Sequence, residues 1–213
     1  MEIELRNIRP CYMSESEVSG SDIYMQSLVR FEQGKQYMVS AKSGHGKSSL
    51  LNFIYGISNA YVGDIAIRED GGGVVLQSSR DFKVRQMSYM FQDLCLFPEL
   101  TALENVQLKN RLTDFKSESE IESMLMALLP SEKLNQPVAT LSLGQRQRVA
   151  AVRSLCQPFR FLLLDEPFSH VDNENAHRMA SLVAGEVERQ HAGLIVTALD
   201  PVDQFEFDKV MNL

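Results

Sequence analysis

Gln36-Tyr37-Met38-Val39-Ser40-Ala41-Lys42-Ser43-Gly44-His45-Gly46-Lys47-Ser48-Ser49 runs from an apolar stretch of β character straight into a glycine-containing loop. Beyond it, Leu50, Leu51, Phe53 and Ile54 have the spacing of one buried helix face, closed by Gly56. The unit reads strand, loop, helix. Gly44 and Gly46 let backbone N–H groups turn inward with no Cβ in the way. Lys47 can neutralise β and γ phosphates, and the helix N-terminus adds its own positive end. Ser48 stands where a hydroxyl can hold Mg2+. The strict form of this loop has Gly where Ala41 stands, and a methyl there would cost about 1–2 kcal/mol were that backbone left-handed. On these residues alone, an ordinary glycine turn stays open as the reading.

Outward from this unit, Ile3, Leu5 and Ile8 alternate as a half-exposed opening strand, and the polar stretch Ser14 to Ser21 reads as a loop. Gly63 to Ile67 alternates again, Asp70-Gly71-Gly72-Gly73 signals a turn, and Gln86 to Phe91 reads as a strand. From Leu100 to Ser154 the texture is helical. Thr101 can cap a helix through Leu103, Val106 and Leu108, and Ile121, Met124, Leu125, Leu128 and Leu129 have helical spacing before Pro130. Phe161 to Leu164 and Leu194 to Thr197 are continuous apolar runs, as in parallel strands covered on both faces, with a helix around Met179 to Val187 between them. The expectation is an α/β sheet domain with a helical insertion at residues 94–155. At about 150 residues per domain, a chain of 213 residues suits one large domain with an inserted lobe.

Hydrophobic residues make up 44% and charged residues 23%, which excludes a disordered or collagen-like chain. No apolar run approaches the ~18 residues of a spanning helix. Met1 to Arg6 is charged and alternating rather than a basic patch followed by an apolar stretch, so a cytoplasmic location is expected. Cys11, Cys95 and Cys156 form no metal-ligand grouping and read as reduced thiols. A net charge of −7 argues against nucleic acid as a partner.

Two further stretches carry chemistry. Phe161-Leu162-Leu163-Leu164-Asp165-Glu166 is an apolar strand ending in two carboxylates. Strand alternation would point them to opposite sides, Asp165 toward Mg2+ and Glu166 toward an attacking water. Leu141-Ser142-Leu143-Gly144-Gln145 opens a helix, so a hydroxyl, backbone N–H groups and a dipole end face an anion together. Each element alone could be a solvated pair or a plain cap. Their joint occurrence in this order by chance is below about one in a hundred thousand.

Together these stretches resemble the ATP-binding cassette (ABC) ATPase family over nearly the whole chain. Ala41 to Ser49 is similar to its Walker A loop, Leu141 to Gln145 to its signature motif, and Phe161 to Glu166 to its Walker B strand. Tyr12 resembles the aromatic residue that stacks on adenine. Gln92 resembles the Q-loop glutamine that contacts Mg2+ and the attacking water, and Ser169-His170-Val171-Asp172 resembles the D-loop, with Asp172 as its acid. Val196-Thr197-Ala198 holds the place of the switch loop, but Ala198 stands where the family usually carries histidine, and Leu143 where it usually carries glycine.

The resemblance implies a P-loop core with an N-terminal antiparallel β subdomain and an inserted helical subdomain: residues 1–93 and 156–213 as core, 94–155 as the helical part. It implies ATP and Mg2+ as cofactors, with Ser43, Gly44, His45, Gly46, Lys47, Ser48 and Ser49 on the phosphates and Ser48, Gln92 and Asp165 at the metal. Glu166 would be the base. Ser142, Gly144, Gln145 and Asp172 would reach the nucleotide of a second copy, the two copies joined head to tail, and Asp93 to Leu100 would receive a loop from a separate membrane subunit. The chain would lie peripherally on the inner face of the membrane through that partner. Ala198 and Leu143 keep a second expectation alive, a nucleotide-gated cassette with little or no hydrolysis. A soluble cassette acting on DNA or ribosomes fits less well, since such relatives usually carry long insertions or two fused cassettes.

Overall fold

The computed structural model describes every residue except Ser43, Leu76, Ser78 and Pro201. Two sheets share the molecule. An antiparallel sheet of order β2-β1-β4-β5 is built from β1 (Glu2–Pro10), β2 (Val29–Glu32), β4 (Tyr61–Arg68) and β5 (Val74–Val75). A parallel sheet of order β6-β7-β8-β3-β9 contains β3 (Gln36–Ser40), β6 (Met87–Met90), β7 (Phe161–Asp165), β8 (Gly193–Ala198) and β9 (Lys209–Asn212). The expected α/β class with an antiparallel N-terminal portion is what the chain forms.

The apolar run of β7 is buried along its whole length because both faces of the parallel sheet are covered. Leu162 and Leu164, with Leu194 and Val196 of β8, face the helices, while Phe161, Leu163 and Ile195 face α1 (Lys47–Tyr55) and the antiparallel sheet. Each such fully buried side chain contributes about 1.5–3 kcal/mol. The helical layer contains α2 (Ala102–Asn110), α3 (Glu118–Leu128), α4 (Leu143–Ser154) and α5 (Asn173–Arg189). Capping boxes start three of these: Thr101 with Glu104, Ser117 with Glu120, and Ser142 with Gln145. Gly56 ends α1 in the left-handed conformation, and Pro130 follows the end of α3. Gln86 ends a single wide π-type turn, Phe82–Gln86, and the strand read from it begins one residue later.

Among the described residues, no helix is long and apolar enough to cross a membrane.

Candidate functional site: a nucleotide-phosphate cradle

Strands β7, β8 and β3 lie side by side and β6 flanks β7, so the segments leaving their carboxyl ends converge at one edge of the sheet. This is where open parallel sheets bind ligands. After β3, Gly44 (φ 82°) and Gly46 (φ 86°) turn the chain through left-handed conformations into α1. The N-cap of α1 is Gly46, which has no side chain to satisfy the first N–H groups of the helix, the kind of groups an anion can bind. Tyr24, deeply buried, donates its hydroxyl to the Gly46 carbonyl at 2.8 Å. Lys47 is also buried, and its Nζ donates to the carbonyls of Ala41 (2.6 Å) and Lys42 (3.2 Å) and meets Glu166 Oε1 at 3.3 Å.

Ala41 is absent from the left-handed residues, so its methyl carries no conformational penalty; its N–H donates to Ala198 O at 3.3 Å. Ser48 donates its hydroxyl to Gln92 Oε1 at 3.1 Å. Tyr12, 63% exposed, shares a hydrogen bond with the Ser49 hydroxyl. Tyr12, Gly44, Gly46, Lys47, Ser48, Ser49, Gln92 and Glu166 line one cavity of about 210 Å3. His45 lies in the same loop, exposed. Ser43 is outside the described residues.

The expected alternation of Asp165 and Glu166 needs correcting. β7 ends at Asp165, and Glu166 has φ 49°, a left-handed conformation unusual for a non-glycine residue. The direction of its carboxylate follows from that kink, held by Glu166 N donating to Thr197 O at 3.1 Å, and not from strand geometry. Thr197 donates its hydroxyl to Asp165 Oδ1 at 2.6 Å, and Tyr89 donates to Asp165 Oδ2 at 3.4 Å. Burial, with the Asp165 charge added, raises the Tyr89 hydroxyl above its ordinary value, so it stays a neutral donor. Ala198 ends β8 and lines a cavity of about 310 Å3 that also touches Glu166.

The segment 141–145 is not in the 210 Å3 cavity. Ser142 caps α4, accepting from Gln145 N at 3.2 Å, while Gln145 Oε1 accepts Ser142 N–H at 2.9 Å. A Cβ on Gly144 would lie 2.5 Å from the carbonyl oxygen of His170, so this position tolerates only glycine without a shift. Asp172 caps α5 through Asn175 N at 3.0 Å. Leu143, 39% exposed, lines a second cavity of about 480 Å3 with Gln92, Gln147, Glu166 and His170. Within one copy, therefore, Ser142 does not line the cradle, while its neighbour Leu143 shares the 480 Å3 cavity with Gln92 and Glu166 of the cradle.

Residues 25–169 match the family model described as ABC transporter. The chain belongs to the ABC transporter family. It is 31% identical over 189 residues to the lipoprotein-releasing system ATP-binding protein LolD of Saccharophagus degradans, across 87% of this chain and 83% of that protein. With the protein of the same name from Treponema denticola it shares 32% over 174 residues, 79% of this chain and 76% of that one. Its backbone superimposes on the bacterial ABC transporter cassette MJ0796 in dimeric form with a TM-score of 0.76 at 25% identity, covering 93% and 88% of the two chains. Against the dimeric post-hydrolysis state of that cassette bound to ADP and Pi, the score is 0.74 at 24% identity.

The residues of this ABC chain suit the Mg2+ that the family implies. Ser48 and Gln92, hydrogen-bonded at 3.1 Å, and Asp165 offer oxygen donors, although Asp165 is not among the residues lining the 210 Å3 cavity. A single carboxylate with phosphate oxygens and water is a common Mg2+ environment. Sequence reasoning missed Tyr24, Tyr89, Gln147 and the role of Thr197. All four act through contacts between segments far apart in the chain; Thr197, beside Ala198, and Gln147, on the helix that Ser142 opens, lay within stretches already singled out.

Proposed function

We propose that this chain is the ATP-hydrolysing subunit of a membrane transport machine, closing head to tail with a second copy around two ATP molecules and driving a separate integral membrane subunit. One observation carries the reading. The buried Lys47 ammonium, the glycine-capped start of α1 and the Ser48–Gln92 pair surround one cavity, while Ser142 of the same copy is not among the residues that line it. A triphosphate in the cavity would be half enclosed, and the Ser142 turn of another copy supplies the other half.

In this mechanism Tyr12 stacks on the adenine. Ser43 through Ser49 hold the phosphates by backbone N–H groups, with the Lys47 ammonium balancing charge. Mg2+, held by Ser48, Gln92 and Asp165, would neutralise phosphate oxygens and favour the departure of ADP. Gln92 orients the attacking water, and Glu166 accepts its proton. From the second copy, Ser142 donates its hydroxyl to the γ-phosphate, the N–H groups at Gly144 and Gln145 face the same charge, and Asp172 steadies the opposing loop. Loss of phosphate removes the shared ligand and the copies part.

A groove of about 330 Å3 lined by Tyr55, Phe91, Phe97, Leu108, Leu112, Lys109 and Arg153 would receive a loop of the membrane partner. Phe97, Leu108 and Leu112 are exposed there. Burial, with the neighbouring Arg153 charge, pushes the Lys109 amine down to about 8. Such docking would keep the chain peripheral on the cytoplasmic face. Both LolD relatives are ATP-binding proteins of lipoprotein-releasing systems, which makes lipoprotein release the first cargo to test.

Mixing two inactive variants tests the composite site. Lys47→Ala spoils the cradle and Ser142→Arg spoils the turn, so each alone hydrolyses little, and a mixed pair contains one intact site. Phosphate release from the mixture well above either variant supports the reading; a mixture no better than its parts contradicts it.

A second reading, a nucleotide-gated cassette with weak turnover, is favoured by Ala198. Its methyl lines the cavity beside Glu166, and it offers no hydrogen bond to a γ-phosphate.

A further inference from the structure

Gln147 is a polar side chain buried to 3% exposure on a helix whose neighbouring Val149, Ala150 and Val152 enter the apolar core. Its carboxamide is spent on one five-residue loop. Nε2 donates to Ser169 Oγ at 2.9 Å and to the Glu166 carbonyl at 3.4 Å, and Oε1 accepts the His170 N–H at 3.1 Å. One helical turn earlier, Gly144 lies so close to the same loop that a Cβ would strike the His170 carbonyl. Positions i and i+3 of a helix share a face, so α4 grips the loop twice along that face. The loop begins at Glu166, left-handed at φ 49°, whose own carbonyl is one of the atoms Gln147 holds.

A hydrocarbon of similar volume would fill the space but strip the His170 N–H and the Ser169 hydroxyl of this partner, so the amide fixes where the loop sits on α4. We propose that Gln147 is a positioning residue that locks the 166–170 loop to α4, so that the carboxylate serving one nucleotide and the Ser142 turn serving the other move as one body. This rests on the two-copy arrangement proposed above and adds a route between its two sites. A phosphate leaving the cradle releases Glu166, the loop shifts, and Gln147 carries that shift to the helix whose N-terminus holds the opposite ATP.

Steady-state hydrolysis by the full chain over a range of ATP concentrations tests this, with Gln147→Leu, Ser169→Ala and the double variant. Gln147→Leu is expected to lower kcat by about tenfold or more with the half-saturating ATP changed by less than about twofold, and to move the Hill coefficient from near 2 toward 1. The exposed Ser169→Ala removes one acceptor at little risk to folding, and should lower the Hill coefficient in the same direction even if Gln147→Leu does not fold. The double variant should be no worse than Gln147→Leu alone. Loss of kcat with cooperativity retained would make the role merely local and overturn the proposal. Cooperative wild-type turnover reproduced by both single variants would sink it while leaving the two-copy reading standing. A wild type with no turnover at all would overturn the ATP-hydrolysing reading and this inference with it, while the pairing of two copies is read separately from the mass of Glu166→Gln.

Discussion

Lys47 Nζ lies 3.3 Å from Glu166 Oε1, so the ammonium proposed to balance phosphate charge is paired with the carboxylate proposed as the base. If the proposed cradle takes the triphosphate, the ligand would compete with that carboxylate for Lys47 and also approach its negative charge. Glu166→Gln removes both obstacles. In Mg2+-free buffer the variant should bind ATP more tightly by about 1 kcal/mol, roughly fivefold in Kd, as read by titration calorimetry on the monomer. Weaker binding would mean that Glu166 does not compete for Lys47.

Restoring an imidazole beside Glu166 should raise turnover. Ala198→His places a donor at the end of β8, on the cavity that Glu166 shares. Supplying one such group for developing phosphate charge should increase kcat by about tenfold to a hundredfold, measured as phosphate release. An unchanged kcat from a wild type that already turns over at an ordinary rate would show that nothing is missing at this position.

Gly144→Ala separates packing from phosphate contact. The new methyl would meet the His170 carbonyl at 2.5 Å, and backbone on both sides has little room to yield. A loss of about 1–3 kcal/mol in stability is expected, visible as a lower Tm in a ligand-free melt. Leu143→Gly, at an exposed neighbour, should change Tm far less. Equal effects from the two substitutions would contradict the close approach.

Acid sensitivity should trace to Glu4. Hydrogen bonds from Arg68 and Arg6 hold its carboxyl at about 2, against an ordinary 4.5. The folded chain therefore holds this proton less tightly than the unfolded one. The network's stabilisation is complete above pH 4.5 and fades as pH falls toward 2. Glu4→Gln should flatten the acid limb of a denaturant-midpoint profile in that window and lower the midpoint at pH 7. A variant profile parallel to wild type would argue against the linkage.

Much of this architecture was legible because it is written locally. The apolar run Phe161 to Leu164 reads as a strand covered on both faces and is one, Thr101 reads as a cap and closes a capping box with Glu104, and Gly44 and Gly46 mark the turn that leads from β3 into α1. What escaped depends on distance in the chain or on strain. Val29–Glu32 is a strand of four residues whose pattern is too short to stand out, and it forms because Ile3 and Leu5 of β1 pair with it. No residue pattern announces a left-handed Glu166; it is fixed by Thr197, thirty-one residues away. The Asp172 and Ser142 side chains were read for their chemistry toward nucleotide, whereas within one copy they cap α5 and α4. A cap and an anion contact use the same exposed helix start, so sequence alone could not separate the two.

The claim that ATP joins two copies is tested most directly by the mass of Glu166→Gln in solution. Light scattering behind gel filtration with saturating Mg-ATP should show a species of twice the 24.0 kDa chain, collapsing to the monomer with ADP or on adding Lys47→Ala to the same chain. A Glu166→Gln variant that binds ATP tightly and still elutes at 24.0 kDa would contradict the account.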